Sequence, residues 1–181
     1  MRPYDYAHRK GVRQLTWDDF ASLAAHLAEL LEPFHPELIL GIARAGLFPA
    51  TFVACSLRRE LYPIRLTRRV NDEVLYDQPV WKVPVPPEVS GKVVAIIDEI
   101  ADTGQTLALA EANALGLGAR KVVTASLVSH PWADPMPSLC VLKTGEFVIF
   151  PWDTQVLEAG KWVPHPEVVA GLKAQGSDNP G

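Results

Sequence analysis

Apolar and polar positions along this chain follow two rhythms. Phe20, Leu23, Leu27, Leu30 and Leu31 recur at the spacing of one helix face. Thr16 stands where it caps the amide of Asp19, acidic residues occupy the positive end, and Pro33 is the stop. Compact apolar runs at 38–42, 61–66, 93–97 and 122–128 predict strands. The run at 93–97 is mostly β-branched and lies between Gly91 and the pair Asp98-Glu99, the character of a strand covered on both faces of a parallel sheet. Helices are predicted between strands, over residues 50–57 and 107–115, the second closed by Gly116-Leu117-Gly118. Short apolar runs follow at 139–142 and 146–150, and the segment 160–173 closes the chain's last structured part. Residues 70–87 keep no clean period and read as a long irregular excursion, with 71–82 as a candidate lid. In that segment Tyr76 and Trp81 either belong to the lid or pack an oligomer interface. The expected fold is α/β: one domain over residues 1–174, with a mostly parallel twisted sheet, helices on both faces and a small hood drawn mainly from 129–174. Residues 175–181 read as a flexible tail.

Composition narrows this only slightly. A chain of 181 residues that is 48% hydrophobic and 21% charged fits one globular domain. A formal charge of -4 and a pI near 5.7 argue against a dominant nucleic-acid surface. Cys55 and Cys140 lie far apart in apolar neighbourhoods and read as small core residues, which supports neither a disulfide framework nor a cysteine metal site. A cytoplasmic protein without membrane association is expected, since no apolar run approaches spanning length and residues 1–13 lack a signal-peptide core.

The chemistry starts where the 93–97 run ends. Asp98 and Glu99 put two carboxylates at the carboxyl end of a strand, the edge at which open α/β sheets bind ligands. Next comes Asp102-Thr103-Gly104-Gln105-Thr106, a glycine and hydroxyl loop that opens a helix. Gly104 lets a backbone approach phosphate oxygens, the first helical amides lack intrahelical partners, and the two threonines add donors. Acceptor-only carboxylates suit vicinal hydroxyls, so the stretch describes a ribose 5-phosphate. A second small-residue turn, Gly41-Ile42-Ala43-Arg44-Ala45-Gly46, is either a pyrophosphate grip or a glycine turn with a surface arginine. Arg68 and Arg69, at another strand end, either meet the same ligand or are solvated. His130, in Ser129-His130-Pro131, is a hydrogen-bond donor to a ligand or a loop residue. Phe147, Phe150 and Trp152 are either core or a platform for a planar base. No Walker loop, dinucleotide fingerprint or nucleophile elbow is present.

The stretch from Asp98 to Thr106 after its apolar strand resembles the phosphoribosyl pyrophosphate signature of type I phosphoribosyltransferases, and residues 37–153 follow the purine enzymes of that family, xanthine-guanine and hypoxanthine types above all. The resemblance implies transfer of ribose 5-phosphate from phosphoribosyl pyrophosphate to a purine base, as in purine salvage, with Mg2+ arriving on the pyrophosphate and Glu99 beside it. It implies that Ala101 and Thr103 to Thr106, including Gly104 and Gln105, hold the 5-phosphate side, that Asp98 and Glu99 hold the ribose hydroxyls, and that Asp102 faces the base as a general base. Ala43-Arg44-Ala45-Gly46 is similar to the family's pyrophosphate loop, in which a cis peptide precedes the basic residue. Phe147 is then the stacking aromatic, Val148 reads the base through its main chain, and Asp153 lies near the base edge or the metal. One departure stands out: 6-oxopurine enzymes place a lysine where this chain has Ser129 and His130. Adenine or a non-purine base therefore stays open, as does a sensor of phosphoribosyl pyrophosphate that binds nucleic acid. A homo-oligomer, dimer or tetramer, is the expected assembly.

Overall fold

The computed structural model describes residues 9–67, 69–70, 73–74, 76 and 79–176, with 69–70 and 73–74 as backbone only. In chain order the elements are β1 (Val12–Gln14), α1 (Trp17–Leu31), β2 (Leu38–Ile42), α2 (Leu47–Leu57), β3 (Glu60–Thr67), β4 (Arg69–Val70), β5 (Glu73–Val74) and β6 (Val80–Val83). They continue with β7 (Val93–Ala101), α3 (Gln105–Gly116), β8 (Lys121–Ser129), β9 (Leu139–Lys143), β10 (Phe147–Ile149), β11 (Gln155–Glu158), β12 (Lys161–Pro164) and α4 (Pro166–Ala174). Contacts divide the described residues into a larger unit, 23–144, and a smaller one, 9–22 with 145–176.

In the larger unit the sheet runs β6-β3-β2-β7-β8-β9. Every neighbouring pair is parallel except the edge pair β3 and β6. Side chains alternate between its faces. Leu38, Leu40 and Ile42 of β2 and Val94 and Ile96 of β7 share one apolar cluster with Leu107, Ala110 and Ala114 of α3. Gly41 points the other way, against α2: a Cβ there would lie 2.8 Å from both the Ala50 Cβ and Leu47 Cδ2. The sheet thus carries helices on both faces, as expected.

The helix at Thr16 starts as predicted. The Asp19 amide donates to Thr16 Oγ1 at 3.1 Å, and the Thr16 amide donates back to Asp19 Oδ2 at 2.8 Å. These two bonds make a reciprocal cap. The Thr16 amide, and after it the Thr16 hydroxyl, which donates to Asp19 Oδ2 at 2.7 Å, hold the Asp19 carboxyl below its usual range.

Four expectations need correction. The strand that opens at Val93 runs on to Ala101, so Asp98 and Glu99 sit within it, paired to β8 as far as Ala101 opposite Ser129. The irregular excursion contains β6, and Trp81 packs against the apolar cluster. Other parts of the lid candidate, residues 71–72, 75 and 77–78, lie outside the described residues. Cys55 is exposed, because it falls on the outer face of α2. Cys140 is half-buried, and burial pushes its thiol up.

The smaller unit joins residues from Gly145 onward to the N-terminal arm, whose strand β1 is too short to show a period. There β1 pairs parallel with β10, Val12 opposite Phe147. Phe147, Ile149, Val168 and Leu172 form the core with Val12 against them. The hairpin β11–β12 pairs Val156 with Val163 and turns at Ala159-Gly160, both at positive φ. No helix among the described residues is long and apolar enough to cross a membrane.

The contact at Gly41 yields a prediction. Gly41→Ala should cost about 1–3 kcal/mol through overpacking against α2, read as a lower urea midpoint; an unchanged midpoint would contradict the tight seat of α2 on β2.

Candidate active site

The sheet order locates the site before any side chain is considered. From β2 the chain passes through α2 to β3 on one side, and from β7 through α3 to β8 on the other. Strand order therefore reverses between β2 and β7, and in open α/β sheets the crevice beyond the carboxyl ends at such a reversal is where ligands bind. The two loops singled out in the sequence, 43–46 and 102–104, follow these two adjacent strands.

The first loop meets β7 at Gly46. A Cβ on this residue would lie 2.7 Å from Asp98 Oδ1, 2.9 Å from Asp98 Cα and 2.6 Å from the Ile42 carbonyl oxygen. The first loop is tied down further by the Ala43 amide, which donates to the Ile64 carbonyl of β3 at 2.7 Å. The peptide bond between Ala43 and Arg44 is cis, the geometry that the resemblance implied. Arg44 is exposed, Ala45 is half-buried and Gly46 is buried.

The two carboxylates at the end of β7 are not equivalent. Asp98 is 8% exposed, and its Oδ1 accepts the Glu99 amide at 3.0 Å. Burial pushes the Asp98 carboxyl up, with the hydrogen bonds from Glu99 opposing. Glu99 is half-buried and presents the more accessible oxygen ligands. Beyond them Asp102 is half-buried and Thr103 exposed. Gly104, at φ +80, turns the chain into α3. Gln105 and Thr106 open that helix, where first-turn amides have no partner within the helix. Such an end is suited to a phosphate monoester.

On the far side of Asp102 the structure adds a residue that no sequence motif indicated. Trp132 Nε1 donates to Asp102 Oδ1 at 3.1 Å, and its ring stacks on His130 at 4.5 Å and 16°. His130 is fully buried, with Nδ1 2.7 Å from the Thr144 carbonyl oxygen and Nε2 3.9 Å from Asp102 Oδ1. A carbonyl only accepts, so Nδ1 carries the proton and donates. His130 is thus a packed residue behind Asp102, and Ser129 is likewise buried. The signal that could have found Trp132 is an aromatic placed three residues beyond a buried strand end, in a loop otherwise rich in proline.

Arg68 lies outside the described residues, and Arg69 is described by its backbone in β4 alone. Phe147, Val148 and Asp153 belong to the smaller unit. The Phe147 ring is a core residue there, 6% exposed and with the Gly171 backbone against it, which is the core alternative left open for it above. Val148 is buried in β10, and Asp153 is half-buried, its amide donating to the Phe150 carbonyl at 3.0 Å. Trp152 stacks on Phe150 at 4.8 Å and 6° and meets Phe20 edge-on at 5.4 Å.

Chemically, the crevice joins a backbone loop with a guanidinium, a carboxylate pair and a helix start with hydroxyls. This is a set for a ligand with phosphates at two ends and hydroxyls between. The comparisons with known proteins agree. Residues 14–159 match the phosphoribosyl transferase domain family, so the chain belongs to that family, whose members are glycosyltransferases. A purine phosphoribosyltransferase from Pyrococcus horikoshii Ot3 is 31% identical over 78% of this chain and 93% of its own, with a TM-score of 0.70. Two more distant structures share the fold. The Helicobacter pylori xanthine-guanine-hypoxanthine phosphoribosyltransferase is 19% identical over 78% of this chain and 93% of its own, with a TM-score of 0.66. A hypothetical protein from Neisseria gonorrhoeae with bound ppGpp is 22% identical over 81% and 91%, with a TM-score of 0.65. Among curated proteins no sequence matches the chain significantly.

The meeting of the first loop with β7 is testable by one methyl group. Gly46→Ala places a Cβ against Asp98 and a backbone oxygen, so calorimetric affinity for phosphoribosyl pyrophosphate should fall at least about tenfold, the equivalent of roughly 1.4 kcal/mol. Affinity within twofold of the parent would mean that the loops do not act as one site.

Proposed function

We propose that the protein transfers the ribose 5-phosphate group of phosphoribosyl pyrophosphate to a ring nitrogen of a purine base, releasing pyrophosphate, in a salvage role. The observation that carries this reading is the contact of the 43–46 loop with Asp98 at the strand-order reversal, which juxtaposes an anion-binding loop and a carboxylate pair. The 31% identical relative, itself a purine phosphoribosyltransferase, supports the purine class. Within that class a 6-oxopurine is favoured by the Pro151-Trp152-Asp153 segment, with the Val148 main chain and Asp153 as the base-side groups implied by the resemblance.

The roles follow from charge. As pyrophosphate departs, the ribose ring gains cationic character, and the carboxylates of Asp98 and Glu99 stabilise it, Asp98 through its field and Glu99 through direct hydroxyl contact. Arg44 neutralises the leaving pyrophosphate, and the amides from Thr103 to Thr106 hold the 5-phosphate. Asp102 accepts the proton of the purine ring nitrogen. Among the described residues no group of three or more His, Cys, Asp or Glu side chains is placed to hold a metal. Mg2+, however, binds through one or two carboxylates together with substrate oxygens and water, and the Asp98-Glu99 pair fits that donor set. Glu99 would hold it; when bound it supplies charge neutralisation at the pyrophosphate.

A nucleic-acid-binding sensor of phosphoribosyl pyrophosphate is the second reading, favoured by no basic surface in a chain of charge -4. A homo-oligomer remains the expected assembly.

The direct test is a panel of xanthine, guanine, hypoxanthine, adenine and pyrimidine bases incubated with phosphoribosyl pyrophosphate and Mg2+. Nucleotide should form with a 6-oxopurine; no product with any base, together with a gel shift at physiological salt, would favour the sensor. Asp102→Asn should keep calorimetric binding of phosphoribosyl pyrophosphate and lower turnover by about a hundredfold or more. Thr103→Ala or Thr106→Ala should show the opposite pattern, weaker binding by about 0.5–1.5 kcal/mol each, and undiminished binding would count against the phosphate cup.

A further inference from the structure

The loop that follows β8 runs beside the signature loop almost residue for residue. The His130 amide donates to the Ala101 carbonyl at 3.0 Å, Trp132 Nε1 to Asp102 Oδ1 at 3.1 Å, and the Asp134 amide to the Thr103 carbonyl at 3.0 Å. Beyond them the Pro135 carbonyl lies where a Cβ on Gly104 would have to stand. Four consecutive residues of the signature loop therefore each meet a partner from the segment 130–135. Of these contacts only Trp132 reaches a side chain, and it reaches the one to which the base chemistry is assigned.

We propose that Trp132 is the positioning residue of Asp102: its indole N–H holds one carboxylate oxygen and so fixes the rotamer in which Asp102 meets the base. The inference rests on the reading of Asp102 as the proton acceptor and extends it to a residue outside the signature. The geometry favours this role over simple packing. Trp132 is 42% exposed, and one ring face is laid on a fully buried imidazole. That imidazole is itself held through Nδ1 to the Thr144 carbonyl. The stack sets the ring plane, and the ring plane aims the N–H. A neutral donor on one carboxylate oxygen leaves the group charged and oriented, the condition a general base needs before the substrate arrives. Asp102, on the three-residue loop between β7 and α3, has no helix or strand of its own to orient it.

The experiment is a double-mutant cycle on the full chain, with a 6-oxopurine and phosphoribosyl pyrophosphate as substrates. Trp132→Phe keeps a flat ring on His130 and removes the donor. It should lower kcat by roughly tenfold to a hundredfold, the range for losing a hydrogen bond to a charged group, with KM for phosphoribosyl pyrophosphate within about twofold of the parent. Trp132→His, which retains a ring N–H, should recover part of the loss. In an Asp102→Asn background the Phe substitution should cost less than about twofold, because residues that act through one another are not additive. Calorimetry with phosphoribosyl pyrophosphate checks that each variant is folded. If Asp102→Asn lowers turnover but Trp132→Phe does not, or if the two losses simply multiply, Trp132 does not position Asp102 and the base reading stands alone. If Asp102→Asn leaves turnover unchanged, the base reading itself fails and this inference with it.

Discussion

The architecture of the site depends on two backbones meeting with no side chain between them. Gly46 approaches Asp98 more closely than any Cβ would allow, and this approach is available only because β2 and β7 are hydrogen-bonded neighbours. That adjacency follows from the sheet order, in which one helix leads away on each face. A loop with a guanidinium and a strand end that carries carboxylates suit opposite kinds of ligand group. Brought together they form an unsymmetrical cradle, cationic at one end, acidic in the middle and lined by amides at the other. A phosphorylated, pyrophosphorylated pentose has the complementary order of groups.

Burial then divides labour within the acidic pair. Asp98 is nearly enclosed and accepts the next amide. Glu99 is more exposed, and in the proposed reaction it would be the oxygen donor for ligand or metal. Desolvation makes the ionised Asp98 costly in the unliganded protein, and a cationic sugar ring is the partner that would relieve that cost.

Much of this was legible in the sequence. Buried strands announce themselves as β-branched runs, and the Asp98 to Thr106 stretch and the Ala43-Arg44 bond carry residue types that few other local structures use. What was not legible has physical reasons. The end of β7 is polar because it is the site, so an apolar criterion stops the strand four residues early at Ile97. β1 has three residues, and its partner β10 lies more than a hundred positions away, so neither local period nor spacing reveals the pairing. Trp132 belongs to no motif, and its place is set by a hydrogen bond to a residue thirty positions earlier. The ring of Phe147 lies against Gly171, a long-range backbone contact that no local pattern announces.

The central claim is that the turn from Asp98 to Thr106, with the 43–46 loop against it, receives the activated sugar. A crystal of the protein soaked with phosphoribosyl pyrophosphate and Mg2+ tests it most directly. The account predicts the 5-phosphate about 3 Å from the amides of residues 103–106, the ribose hydroxyls over Glu99, and the pyrophosphate on the Arg44 loop. A saturating soak that left this turn empty, or that placed the sugar phosphate elsewhere on the protein, would contradict it.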